Sequence, residues 1–230
     1  MRPHAPMLAV LLLAPALAGA SPAASAVFSL RCEREMKPVF EVSAHLANFQ
    51  VNNSVSSSVL NTRLLKASAS QLALGMTAGT VQSEVMLDGL ALLDQGSGLE
   101  CVSPRISVVL SYNPLQVYVA REFHAQSCSY RAIFEHEMQH VRLYRQHLPL
   151  VEQRVREQLA ARYRNQPLYA PAGQGLSQLE ADVDQWLRPL IREELARIEL
   201  LQAGLDTPEE SFRLSHACLG EVASRVGSSF

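Results

Sequence analysis

Five consecutive residues, His136-Glu137-Met138-Gln139-His140, are the part of this sequence best suited to chemistry. Residues four apart share one face of a helix, so both imidazoles can point at one cation. Neutral imidazole is a good Zn²⁺ ligand at about 2.0–2.1 Å. Glu137 sits beside the first imidazole, where a carboxylate can take the proton of a zinc-activated water as that water attacks a carbonyl. Catalytic zinc normally has three protein ligands and one open position, so a third ligand is required. The same helix cannot supply it. Gln146 has the wrong chemistry, and His147 lies about 10 Å farther along the axis than His140 at 1.5 Å per residue.

The surrounding elements must hold this pattern still. Ser127 or Ser129 caps a helix whose apolar positions Ile133, Phe134, Val141, Tyr144 and Leu148 recur every three or four residues. Pro149 kinks it or starts a second helix that continues to about Tyr163. Residues 165–175 carry prolines and glycines and read as a loop. A long amphipathic helix is predicted over Leu176–Ala203 with a bend at Pro189, and Thr207-Pro208 opens a last one. Upstream the character is different. Val39–Leu46 and Phe49–Val51 alternate like strands, and Asp88-Gly89 and Gly96-Ser97-Gly98 are turn signals. Ile106–Leu110 and Leu115–Val119, either side of Tyr112-Asn113-Pro114, read as a hairpin. The fold class expected is α+β, with a β-rich N-terminal half and a helical C-terminal half.

The first residues read as a cleavable secretory signal over 1–20. A basic start at Arg2 precedes an apolar run from Met7 to Leu17 and the small residues Ala18-Gly19-Ala20, with Ala24-Ser25-Ala26 as an alternative cut at 26. The run is shorter than the roughly 20 residues that span a bilayer, so no stable membrane insertion is expected after cleavage. Residues 27–230 then form one domain, with 27–100 a β-rich lobe or a pro-segment. The 20 Lys and Arg against 22 Asp and Glu give a net charge of −2, which offers no basic face for nucleic acid. All four cysteines lie beyond residue 26 and none forms C-x-x-C, so two disulfides are expected. Of three pairings, Cys101–Cys128 with Cys32–Cys218 is favoured: the first closes a local loop and the second ties the domain's ends.

The hairpin and helix over roughly 106–148 resemble the zincin metallopeptidases. The resemblance implies that His136 and His140 ligate one zinc, that Glu137 is the general base, and that an edge strand holds the substrate as an added strand. Residues 115–120 are the candidate edge. Leu143 and Gln146 stand where metzincins need Gly and His, so the resemblance is to gluzincin-like members. These take a glutamate from a later helix, often as E-x-x-x-D, and Glu180 with Asp184 fits. On the predicted wheel Glu180 lies at the edge of the stripe Leu176, Val183, Leu187, Leu190, Ile191, Ile198 and Leu201. Glu194 lies nearer its centre and is the alternative, although it could instead pair with an arginine. Asp182, Asp184 and Asp206 come next. Tyr130, Tyr144, Tyr169 and His147 are candidates to steady an oxyanion. The expected function is an exported zinc hydrolase of peptide or protein substrates. The alternatives are a zinc hydrolase of a non-peptide amide or ester, and a metal-free, disulfide-stapled binding domain.

Overall fold

The computed structural model describes residues 24–64 and 73–226, so the signal reading over 1–20 lies outside the described residues. The fold is mixed, 51% helical and 30% strand, with strands concentrated in the first half and helices in the second. Helix α1 (Ala26–Glu35) is capped by Ser25, whose hydroxyl accepts from the Phe28 N–H. Strands β1 (Val39–Leu46) and β2 (Phe49–Asn52) follow, then α2 (Ser57–Leu64) and two long strands, β3 (Gly75–Asp94) and β4 (Leu99–Val119).

β4 organises the sheet. Its Arg105–Tyr112 segment pairs in parallel with β1, and Leu115–Tyr118 pairs in parallel with β2. β3 runs antiparallel along its other side from Gly75↔Val119 to Asp94↔Leu99. The expected hairpin at 106–119 is therefore one continuous strand. Asn113-Pro114, read as its turn, marks the place where the parallel partner changes from β1 to β2, and Pro114 has no N–H to give a ladder. β3 shifts register between Gly79 and Val81 opposite the same dipeptide. The real hairpin is β3–β4, turned at residues 95–98. Asp88-Gly89 is not a turn but strand interior: a side chain at Gly89 would meet Val102 Cγ1 at 2.7 Å.

Helix α3 (Cys128–Tyr163) crosses one face of the sheet for 36 residues, about 54 Å, and passes through Pro149 without a break. Ser127 caps it by accepting from the Tyr130 N–H, and Arg164 ends it in the left-handed region with φ 47°. Within the loop expected at 165–175, β5 (Leu168–Pro171) pairs with the start of β4. The long second helix is α4 (Gly175–Asp182), a π turn (Val183–Leu187) and α5 (Arg188–Ala203), with the widened turn just ahead of Pro189. That turn changes the helical phase. Leu179, Val183, Leu187, Ile191 and Leu195, each four apart, are all buried. An unbroken 3.6-residue helix would rotate such a series off one face.

Three apolar clusters follow. The largest lies between the sheet, through Ile106, Val108, Leu110 and Val117, and the inner faces of α3, α4 and α5. A second joins Leu60, Val119, Phe123 and Ile133 to Leu214 of α6 (Pro208–Ser215) and Val222 of α7 (Ala217–Val226). The third packs α1 on Cys101. The disulfides are Cys32–Cys101 and Cys128–Cys218, not the favoured pairing. The continuity of β4 explains the correction. At about 3.3 Å per residue, the strand carries the chain roughly 60 Å from Cys101 to Val119, so Cys128 starts α3 at the far end of the sheet. Among the described residues no helix is long and apolar enough to cross a membrane.

Candidate metal centre

His136, Glu137 and His140 lie on the third and fourth turns of α3, each under a tenth exposed. Ile133 and Val141, both fully buried, fix the rotation of this stretch of helix. The start of β3 covers Glu137. A Cβ on Gly75 would stand 2.5 Å from Glu137 Oε1, so only glycine lets the strand come this close. The Thr77 hydroxyl lies 2.8 Å from Glu137 Oε2 and 3.1 Å from the Glu137 carbonyl, and its one hydrogen donates to one at a time. Oε1 has no hydrogen-bond partner among the described residues. The opposite wall is the end of α5, the turn at 204–207 and the first residues of α6.

The imidazoles converge through their Nε2 atoms, 3.3 Å apart. Asp206 Oδ1 stands 3.0 Å from His136 Nε2 and 3.2 Å from His140 Nε2. The outer nitrogens are held as well. His136 Nδ1–H donates to Glu210 Oε1 at 3.0 Å, and His140 Nδ1–H donates to Gln202 Oε1 at 2.7 Å. The Gln202 amide closes on the same residue by donating to the His140 carbonyl at 3.1 Å. Glu210 in turn receives Arg213, at 2.6 and 2.7 Å. Together His136, His140 and Asp206 form a group that could hold a metal ion, the two histidines buried and the aspartate exposed.

The electrostatics favour positive charge at this point. Burial lowers the proton affinity of both histidines, but the hydrogen bonds to Asp206 and the negative charges of Glu137 and Asp206 outweigh it, and both pKa values rise. Burial raises the Asp206 pKa, yet the bonds to the two histidines hold it far below the usual carboxylate range. Glu137 is pushed up to about 6, chiefly by burial, against the pull of the two histidines and Thr77. Arg213 holds the Glu210 pKa low. Two nitrogen lone pairs and a carboxylate oxygen within 3.3 Å of one another repel unless a proton or a metal cation stands among them.

The structure brings His136, Glu137 and His140 together as the spacing predicts, but it does not bring Glu180 or Glu194 to them. Glu180 is exposed on α4, about 100° around the helix from the buried Leu179. Glu194 is buried, and its partners are Arg154 at 2.8 Å and Arg197 at 3.4 Å. Asp184, expected behind a histidine, pairs with Arg188. Asp206 takes the third place, with Gln202 and Glu210 behind the two rings. Their signal in the sequence is a carboxamide and two carboxylates at 202, 206 and 210, each four apart. The break between α5 and α6 hides it from a helical wheel.

Among the oxyanion candidates, the Tyr144 hydroxyl turns to Glu199, which also accepts from Tyr112 at 2.9 Å. Tyr169 reaches the Ser29 carbonyl, Tyr130 stacks on Phe134, and His147 lines a groove with Leu150 and Arg154. The expected edge segment 115–120 lies largely inside the sheet, between β2 and β3. The strand over Glu137 is β3, which among the described residues pairs only with β4. No family model, curated protein or solved structure matches the chain.

Proposed function

We propose that this protein is a zinc-dependent hydrolase of the zincin type, cleaving peptide bonds in an oxidising compartment outside the cytoplasm. The observation that carries the reading is the triangle of His136 Nε2, His140 Nε2 and Asp206 Oδ1, with sides of 3.0, 3.2 and 3.3 Å. Ligands about 2.0–2.1 Å from a tetrahedral zinc stand roughly 3.3–3.4 Å from one another, so the donor set fits zinc in size and in chemistry. Three protein donors leave a fourth position open. When bound, zinc supplies Lewis acidity and brings the pKa of water to about 7.

The chain's own residues do the rest. His136, His140 and Asp206 hold the ion, and Glu137 moves the proton. Thr77 fixes Oε2 of that carboxylate, which leaves Oε1 to accept a proton during attack on the carbonyl and to hand it to the leaving amine. Burial, with the close approach of β3 at Gly75, raises the proton affinity of this carboxylate. The edge of β3 beside Glu137, unpaired among the described residues, favours a peptide over a small amide or ester, since an extended backbone can add to it as a strand. Two disulfides and no free cysteine suit an exported chain. The test is Glu137→Gln: the variant should keep zinc and lose hydrolysis of an unfolded protein substrate. Wild-type activity in that variant would refute the assignment of the base.

A further inference from the structure

We propose that Gln202 and Glu210 are positioning residues that lock both imidazoles in the one neutral tautomer able to ligate, by two different devices. The inference deepens the metal-hydrolase reading and rests on it for its functional consequence. A neutral imidazole carries one proton, so the ring binds a metal through Nε2 only when that proton sits on Nδ1. At His140 the tautomer follows from bonding alone. The His140 carbonyl can only accept, so the atom of Gln202 facing it at 3.1 Å is the amide nitrogen. The amide oxygen must then be the atom 2.7 Å from Nδ1, and it can only accept. Nδ1 therefore carries the hydrogen. Both residues are under a tenth exposed, so no solvent competes for these bonds.

At His136 the device is charge. The Glu210 carboxylate only accepts, and Arg213, one turn along α6, holds both its oxygens. Oε1 thus receives His136 Nδ1–H and an Arg213 N–H together. In these neutral tautomers both Nε2 lone pairs face Asp206 Oδ1, 3.0 and 3.2 Å away, which calls for a cation among the three atoms. Groups behind the ligands of a metal site are worth about 10–100-fold in metal affinity, so these two contacts are large enough to measure.

Arg213 gives the proposal a test that a merely structural role would fail. In Glu210→Gln the guanidinium still needs an acceptor and claims the amide oxygen, which turns the NH₂ toward His136 Nδ1. That stabilises the Nε2–H tautomer, the wrong one, on His136 alone. In Glu210→Ala the position is open enough for water to accept from Nδ1–H, since the Glu210 side chain is 21% exposed. The isosteric change should therefore weaken zinc more than the truncation does, and Glu210→Asp, which only accepts, should recover much of the loss.

The experiment has two readouts. Long-range ¹H–¹⁵N spectra, taken metal-free at alkaline pH in an Asp206→Ala background so that no carboxylate competes for a proton on Nε2, report which ring nitrogen carries hydrogen. Chelator competition reports zinc affinity. That background should show Nδ1–H on both rings, Glu210→Gln within it should change His136 only, and Gln202→Leu should change His140 only; in the otherwise native protein each should lose about 10–100-fold in zinc affinity. Rings of that background protonated on Nε2, or Glu210→Gln binding zinc more tightly than Glu210→Ala, would overturn the proposal. Tautomers as expected in that background, beside a wild-type protein that binds no zinc, would uphold the positioning and sink the hydrolase reading instead.

Discussion

Replacing Gly75 by alanine isolates the contact between β3 and Glu137, the proposed general base. Gly75 does not use the left-handed backbone region, so alanine is conformationally allowed there. With free space around it, such a change would stabilise the protein by about 0.4–1 kcal/mol through the unfolded chain. The space is not free. The new Cβ would sit 2.5 Å from Glu137 Oε1 and 2.9 Å from both Glu137 Cγ and Ile133 Cγ2, where ordinary contact starts at 3.4 Å. The carboxylate oxygen must retreat about 0.9 Å and the Ile133 methyl about 0.5 Å, unless the strand lifts instead. Neither side chain is loose, since Thr77 bonds Glu137 and Ile133 is fully buried. Overpacking of this kind costs about 1–3 kcal/mol, and a displacement near 1 Å in a reacting group costs about 10²-fold in rate. His136, His140 and Asp206 are not touched. Gly75→Ala should therefore lose stability in urea unfolding, lose about two orders of magnitude in hydrolysis, and bind zinc as wild type does. A variant as stable as wild type or more so, with undiminished hydrolysis, would refute the close-approach argument.

Further outcomes follow from the same geometry. Glu194→Ala should cost about 1–3 kcal/mol in denaturant unfolding by removing the acceptor for Arg154 and Arg197, and should leave zinc affinity unchanged. The two disulfides close loops of 69 and 90 residues, each worth about 4–5 kcal/mol in the chain-entropy model. Only Cys128–Cys218 ties the segment bearing Asp206 and Glu210 to α3, so Cys128→Ser with Cys218→Ser should weaken zinc in chelator competition while Cys32→Ser with Cys101→Ser should not. The raised proton affinities of His136 and His140 make a pH signature. In the metal-free protein their contribution to stability is full below the ordinary histidine value of 6.5 and is lost as pH rises through the raised values. Zinc must displace those protons, so its affinity should climb over the same window, as calorimetry across pH will measure.

The histidine pair and its glutamate were legible because helical spacing alone puts positions 136 and 140 on one face. The division into strands and then helices was legible for the same reason, from periods of two and of three to four residues. Three local events were not. Asn113-Pro114 looks like a turn, but with β1 and β2 arriving on either side of it, the chain runs straight and carries Cys101 away from Cys128. The π turn at 183–187 resets the helical phase, so a wheel drawn over 176–205 gives Glu180 a place near the apolar stripe that the folded helix denies it. Asp206 lies in a turn, where no periodic signal reaches, and its role depends on α5 delivering it to α3 from 66 residues away in sequence.

The central claim is that His136, His140 and Asp206 hold one zinc. Its most direct test is a zinc titration of chelator-stripped protein, wild type beside Asp206→Asn and Glu180→Ala, with each variant's fold checked by circular dichroism. The account predicts one zinc per chain in wild type and in Glu180→Ala, and a loss of affinity in Asp206→Asn beyond the roughly 10–100-fold expected of residues behind the ligands. A wild-type protein that takes up no zinc, or a folded Asp206→Asn variant that binds it as tightly as wild type, would contradict it.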